Sequence, residues 1–168
     1  MKKFVIEPIG GLANRLRALF SAKILAEKYN YELKVNWIAN EELNCAFHHL
    51  FLPIQNIEVF EDKILSQNIP STIHSQGFMS KIQRNLLIKL KYGFDEVLKG
   101  TYPEEVSFVK TIETLLQKNK NIYVRCCESF VPNFEQQYPT YLKPVQKIVD
   151  TLHALEITEN TYGLHIRR

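Results

Sequence analysis

The sequence predicts a three-layer α/β domain with a mostly parallel sheet, and three successive stretches carry that expectation. Lys3 to Ile9 is apolar and β-branched and ends at Pro8 and Gly10-Gly11. The following residues place Leu16, Leu19, Phe20 and Ile24 at helical spacing, and Glu32 to Ile38 returns as a second apolar run. Strand, tight turn, helix and strand make a βαβ unit, whose strands pair in parallel with a right-handed crossover.

Within the first helix, Ala18, Ala22 and Ala26 allow close packing, Asn14 suits the N-cap position and Asn30 the C-terminal end. Ala39 to Pro53 is less regular. There Trp37, Cys45, Phe47, Leu50 and Phe51 predict a short helical excursion that covers a sheet edge. Ile57 to Phe60 fits a third strand, and Gln67 to Gly77, polar and interrupted by Pro70, fits a loop. Helices are expected over Lys81 to Tyr92 and over Glu104 to Lys118, the second following Pro103. Asn121 to Cys127 predicts a buried strand, Tyr141 to Leu155 a last helix with Pro144 in its first turn, and Thr161 to Ile166 a final strand. The chain carries neither an internal repeat nor a low-complexity tract.

With 168 residues, 45% of them hydrophobic, the chain can bury a sizeable core, which argues for one domain over residues 1–168. The net charge of +3 comes from scattered lysines and arginines. That distribution argues against nucleic acid and for a small anionic ligand. Cys45, Cys126 and Cys127 are odd in number and lack CxxC or Cys/His metal spacing, so a reducing compartment is expected. Met1-Lys2-Lys3 precedes too few apolar residues for a signal peptide, and no window has the length of a membrane span. The expectation is a cytoplasmic protein, with peripheral attachment to a membrane through a partner or a missing segment left open.

Two motifs stand out. Gly10-Gly11-Leu12-Ala13-Asn14-Arg15-Leu16 lies between a strand and a helix. Any tight βα turn uses glycine, but glycines here also let a ligand approach backbone amides at a helix N-terminus. The motif is neither the G-x-G-x-x-G dinucleotide fingerprint nor a P-loop. At the other end, Gly163-Leu164-His165-Ile166-Arg167-Arg168 sets two arginines behind a histidine at the carboxyl end of a strand. His165 and Arg167 share one strand face. Guanidinium groups there suit phosphate oxygens, whereas the bland alternative is a strand end with solvated charges. His48-His49 lacks further metal ligands at suitable spacing and is taken as surface or packing, and Cys126-Cys127 as buried, inert thiols. Glu128 is a weaker candidate for a polar contact.

Together the two motifs resemble the fucosyltransferase superfamily, which includes the α1,2-, α1,6-, protein O- and nodulation fucosyltransferases. Its members carry a G-G-L-G-N-R-like turn and an H-x-R-R-x-D motif. The resemblance extends over the chain as an N-terminal half and implies the acceptor-side domain of a GT-B-type glycosyltransferase, with two Rossmann-like domains facing across a cleft. It implies GDP-fucose as donor, a glycan hydroxyl as acceptor, inversion at the anomeric centre, and no cofactor or metal. Arg167 then contacts the donor diphosphate as the catalytic residue. Gly10, Gly11, Asn14, Arg15, His165 and Arg168 bind substrate. Ala13 departs from the pattern, standing where glycine is frequent and implying an ordinary negative φ. The chain also stops before the Asp of H-x-R-R-x-D and before the C-terminal nucleotide-binding domain, so on this reading it is inactive alone. Two other readings stay open: a non-catalytic carbohydrate- or protein-binding module, and a transferase using a different nucleotide sugar.

Overall fold

A computed structural model describes residues 2–68, 89–100, 106–133, 136 and 138–155. Strand β1 (Lys3–Pro8) leads into helix α1 (Leu12–Tyr29) and strand β2 (Glu32–Asn36). A 3-10 turn (Phe47–His49), strand β3 (Glu58–Phe60) and short helix α2 (Lys63–Asn68) follow. Strand β4 (Glu96–Gly100), helix α3 (Val106–Gln117), strand β5 (Ile122–Cys126) and helices α4 (Tyr138–Tyr141) and α5 (Gln146–Ala154) complete the described elements.

All pairings in the five-stranded sheet are parallel, in the order β3-β2-β1-β5-β4. β1 sits at the centre, with Lys3 to Ile6 beside Glu32 to Val35 and Phe4 to Pro8 beside Ile122 to Cys126. β1 and β5 are buried along almost their whole length. That explains their near-continuous apolar runs, since helices cover both faces of a parallel sheet. On one face Phe4, Ile6, Leu33, Val35, Ile122 and Val124 join Leu19, Phe20 and Leu25 of α1 and Ile112 and Leu116 of α3 in the main core. Each such side chain contributes roughly 1.5–3 kcal/mol when fully buried. The opposite face is thinner among the described residues: Val5 and Tyr123 pack with Leu65 of α2 and with Phe94.

The βαβ unit appears as expected, and α1 ends as its sequence indicates. Asn30 adopts φ 56, ψ 56, and the amides of Asn30 and Tyr31 bond back to Glu27 and Ala26. This left-handed closure satisfies the last carbonyls of the helix. The N-terminus corrects the sequence reading. Gly11 occupies the N-cap without a side-chain bond, and Asn14 lies inside the first turn of the helix. The expected last helix is also split. Lys143 O accepts from Leu52 N at 2.8 Å and Val145 N donates to Leu50 O at 3.0 Å, so Pro144 bridges Phe51 and the helix resumes only at Gln146. A residue before proline prefers extended backbone, which favours that break. β4 had no counterpart in the sequence reading. The final strand over 161–166 lies outside the described residues, as do most of the expected loop over 67–77 and of the helix over 81–92. None of the described helices is long and apolar enough to cross a membrane.

On the thin face a polar cluster replaces apolar packing near the carboxyl ends of the strands. Glu7 is paired in register with Arg125, and their side chains meet at 2.8 Å. Ser66 Oγ and the Tyr123 hydroxyl donate to the two Glu7 oxygens, Asn36 Nδ2 donates to the Tyr123 hydroxyl at 3.0 Å, and Arg125 Nη2 donates to Ser66 Oγ at 2.8 Å. Burial, then the adjacent Glu7 carboxylate, raises the Tyr123 pKa, so the phenol stays protonated and donates. The cluster fastens α2 to the sheet. Glu7→Ala is expected to cost about 3–5 kcal/mol, because it strands Arg125 and Tyr123 in the interior. Glu7→Gln, which keeps the volume and one acceptor, is expected to cost less; urea denaturation of both variants checks the ordering.

Candidate functional site

The chain runs outward from β1 to β2 to β3 on one side and fills β4 and β5 on the other, so the strand order reverses between β1 and β5. Ligands of open α/β sheets bind at such a switch point, beyond the carboxyl ends of the strands. Gly10-Gly11 lies there, and Ile9 N donates to Cys126 O at 3.0 Å across the junction.

The two glycines have different physical reasons. Gly10 has φ +88, and a Cβ placed on it would meet Asn14 Nδ2 at 3.1 Å and Asn14 Cβ at 3.2 Å. It is glycine for conformation and for closeness to Asn14. Gly11 has φ −70 and ψ 172, and a Cβ there would meet nothing within 4 Å. Its outward side is open. α1 has neither a side-chain cap nor an acidic residue in its first turn. Ala13 is helical with no positive φ, as the departure from the glycine pattern implied.

Arg15 turns inward and has no exposed surface. Its Nε donates to Gly10 O at 2.7 Å, Nη1 to Ile38 O at 2.6 Å and Nη2 to Asn40 Oδ1 at 2.7 Å, and its guanidinium lies 5.2 Å from the Trp37 ring centre. Burial lowers its pKa from the ordinary arginine range, opposed by the charges of Glu42 and Glu7. Asn40 Oδ1 also accepts the amides of Glu42 and Leu43 at 3.1 and 3.2 Å. Glu42, exposed, accepts from Gly10 N at 2.8 Å. Both polar groups of Gly10 are therefore held from the far side of the turn. Asn40 and Glu42 escaped the sequence reading; an Asn-x-Glu step just after a strand was the available sign of a turn stabilised by its own side chain.

At β5, burial pushes the Cys126 thiol up to about 12, and burial followed by the Glu128 charge raises Cys127. Both shifts favour the protonated thiol, which is a poor nucleophile. Glu128 N donates to Cys126 Sγ at 3.5 Å. His48 and His49 stack edge to face at 4.3 Å and are exposed. Among the described residues no group of three His, Cys, Asp or Glu side chains could hold a metal ion. Gly10, Gly11, Asn14 and Arg15 thus meet in one turn, whereas His165, Arg167 and Arg168 lie outside the described residues.

An all-parallel α/β layer with a glycine turn at its switch point is a Rossmann-like architecture, of the kind that builds each half of a GT-B glycosyltransferase. No family model and no curated protein sequence matches the chain. Among solved structures it is similar to NodZ α-1,6-fucosyltransferase soaked with GDP-fucose, at 19% identity and TM-score 0.52, covering 92% of this chain and 55% of that one. The same enzyme co-crystallised with GDP gives the same values, and fucosyltransferase NodZ from Bradyrhizobium gives 18% identity, TM-score 0.51 and coverages of 92% and 56%. The fold is fucosyltransferase-like, and the chain spans about half the length of the enzymes it resembles.

The two glycines are expected to answer differently to substitution. Gly10→Ala should cost roughly 1–2 kcal/mol from its left-handed backbone alone, while Gly11→Ala should be near neutral in stability; thermal unfolding of the two variants side by side is the check. Arg15→Lys keeps a charge but loses the fork, and is expected to destabilise by about 2 kcal/mol or more, as for charge-assisted hydrogen bonds, measured by the urea midpoint.

Proposed function

We propose that the chain is the acceptor-side domain, residues 1–168, of an inverting fucosyltransferase that moves fucose from GDP-fucose to a glycan hydroxyl. The observation that carries this reading is the parallel sheet with the Gly10-Gly11 turn at its switch point, in a fold similar to an enzyme solved with GDP-fucose and with GDP. In the reaction the acceptor oxygen forms a bond to the anomeric carbon as the bond from that carbon to the diphosphate oxygen breaks, and GDP departs with the electron pair. Positive charge develops on the sugar and negative charge on the diphosphate. Arg167, with Arg168 and His165 beside it, neutralises the diphosphate, and a fixed guanidinium favours the transition state over the ground state because the leaving group gains charge. With two arginines supplying positive charge, the reading needs no metal.

At the turn the roles divide. Gly11 leaves room for an acceptor to lie against backbone, Asn14 presents an amide beside it, and Arg15 acts through Gly10 and Asn40 as a positioning residue. Calorimetric titration with GDP and GDP-fucose tests the proposal, on this chain and on the chain extended by any polypeptide encoded after Arg168. Donor binding that Arg167→Ala weakens, together with at least a hundredfold loss of fucosyl transfer as for other electrostatic stabilisers, is the expected result. Unchanged binding and rate in Arg167→Ala, or equal activity in Arg167→Lys, overturns the role.

A further inference from the structure

One carboxylate at the switch point is held in place without being consumed by the fold. Glu42 Oε2 accepts from Gly10 N at 2.8 Å; among the described residues its second oxygen, Oε1, takes no hydrogen bond and the side chain makes no ion pair. The backbone of Glu42 is fixed as well. Asn40 and Leu43 bridge around it, with N···O distances of 3.2 and 3.1 Å, and Glu42 N donates to Asn40 Oδ1 at 3.1 Å. The same Asn40 oxygen accepts from buried Arg15 Nη2 at 2.7 Å. Glu42 therefore stands on a turn anchored to α1, with one oxygen engaged and the other free, in an exposed residue. Its charge acts on both sides of the junction. It opposes the burial that lowers the Arg15 pKa, and at Cys127, after burial and the Glu128 charge, it adds to the rise.

We infer that Glu42 is the general base of the transfer: Oε1 takes the proton of the attacking hydroxyl while the bond from Gly10 N holds the carboxylate in place. The inference rests on the fucosyl-transfer reading, which by itself names no acceptor for that proton. As the bond from the hydroxyl oxygen to the anomeric carbon forms, the bond from that carbon to the diphosphate breaks. GDP leaves with the electron pair and the proton passes to Glu42. The neutral acid, being exposed, returns the proton to water and the carboxylate is restored for the next turnover. The neighbouring groups are unsuited to this task. Glu7 is buried and occupied by Ser66, Tyr123 and Arg125, and burial favours the protonated thiols of Cys126 and Cys127. Glu128 has no hydrogen bond fixing its carboxylate among the described residues. The competing account is that Glu42 only fastens the turn. Fastening requires an acceptor oxygen for Gly10 N, which glutamine also has; a base requires an ionised carboxylate.

Glu42→Gln separates the two accounts. Transfer from GDP-fucose to methyl β-glycosides of glucose, galactose and N-acetylglucosamine is assayed on this chain and on the chain extended by any polypeptide encoded after Arg168. Glu42→Gln is expected to lower kcat about a hundredfold, the ordinary contribution of a general base, with the KM for GDP-fucose and the urea midpoint unchanged. Glu42→Ala should lose as much, and added formate, a small carboxylate, should raise its rate but not that of the unaltered chain. The contact itself is read on the 168-residue chain without any activity: the Gly10 amide proton resonance should move as Glu42 ionises and stop moving in Glu42→Gln. An unchanged kcat in Glu42→Gln, a loss in Glu42→Ala that formate does not relieve, or a Gly10 amide indifferent to Glu42 overturns the role. The failures are distinguishable. Transfer that survives Glu42→Gln removes the base and keeps the fucosyl-transfer reading, whereas absence of transfer in the unaltered chain removes that reading and the base with it.

Discussion

The site end of this domain depends on one buried guanidinium. Arg15 is charged, has no exposed surface and carries five N–H donors, so its burial is tolerable only where oxygens and an aromatic face replace water. Three oxygens from two separate segments do so: Gly10 O before α1, and Ile38 O and Asn40 Oδ1 in the stretch after β2, with the Trp37 ring alongside. A single side chain thereby fixes the β1–α1 turn relative to the segment that follows β2. Lysine offers donors at one nitrogen and could not span that separation. The same group also ties the glycine turn to the Trp37 ring.

The two faces of the sheet solve burial differently. α1 and α3 cover one face with apolar side chains, where packing is non-directional and substitutions of like volume are tolerated. The other face places Glu7, Arg125, Tyr123 and Asn36 beneath the short helix α2. There the contact is directional, because a carboxylate shared by a phenol, a hydroxyl and a guanidinium accepts only one arrangement of α2. A six-residue helix has little intrinsic stability. Its position is set by Ser66 and Asp62 bonding to the sheet, through Glu7, Arg125 and Asn36.

What was legible in the sequence follows from which forces act locally. β1, α1, β2, β3, α3 and β5 have apolar spacing that states its own period, and each appears within a few residues of its expected bounds. Asn30 announces a left-handed helix end because few other residues adopt that backbone. β4 was invisible because it borders the sheet, is only partly buried and mixes Glu96 and Lys99 with its apolar residues, leaving no clean period. The break before α5 depends on a bridge from Pro144 to Phe51, a partner 93 residues earlier that no local pattern reveals. Of the candidate site, Gly10, Gly11, Asn14 and Arg15 were legible as a motif, but not their division of labour. An arginine beside glycines in a turn suggests an anion; its inward course is decided by Ile38 and Asn40, which only the fold brings near.

That inward course bears on which substrate the turn faces. A diphosphate needs free cations, yet the arginine of the motif is spent on oxygens of the protein, and the Gly10 amide meets the carboxylate of Glu42 at 2.8 Å. A phosphate brought to Gly10 would have to displace that carboxylate and would be repelled by it. A hydroxyl has no such conflict, since it donates to a carboxylate and accepts from an amide. If the proposed transfer holds, the electrostatics of the turn favour the acceptor over the donor, and the positive charge required by a leaving diphosphate comes from elsewhere. In the proposed function that charge is assigned to Arg167 and Arg168 of the same polypeptide. Within the proposed transfer, that electrostatic difference is the reason to assign the glycine turn to the attacking oxygen and the diphosphate to the paired arginines.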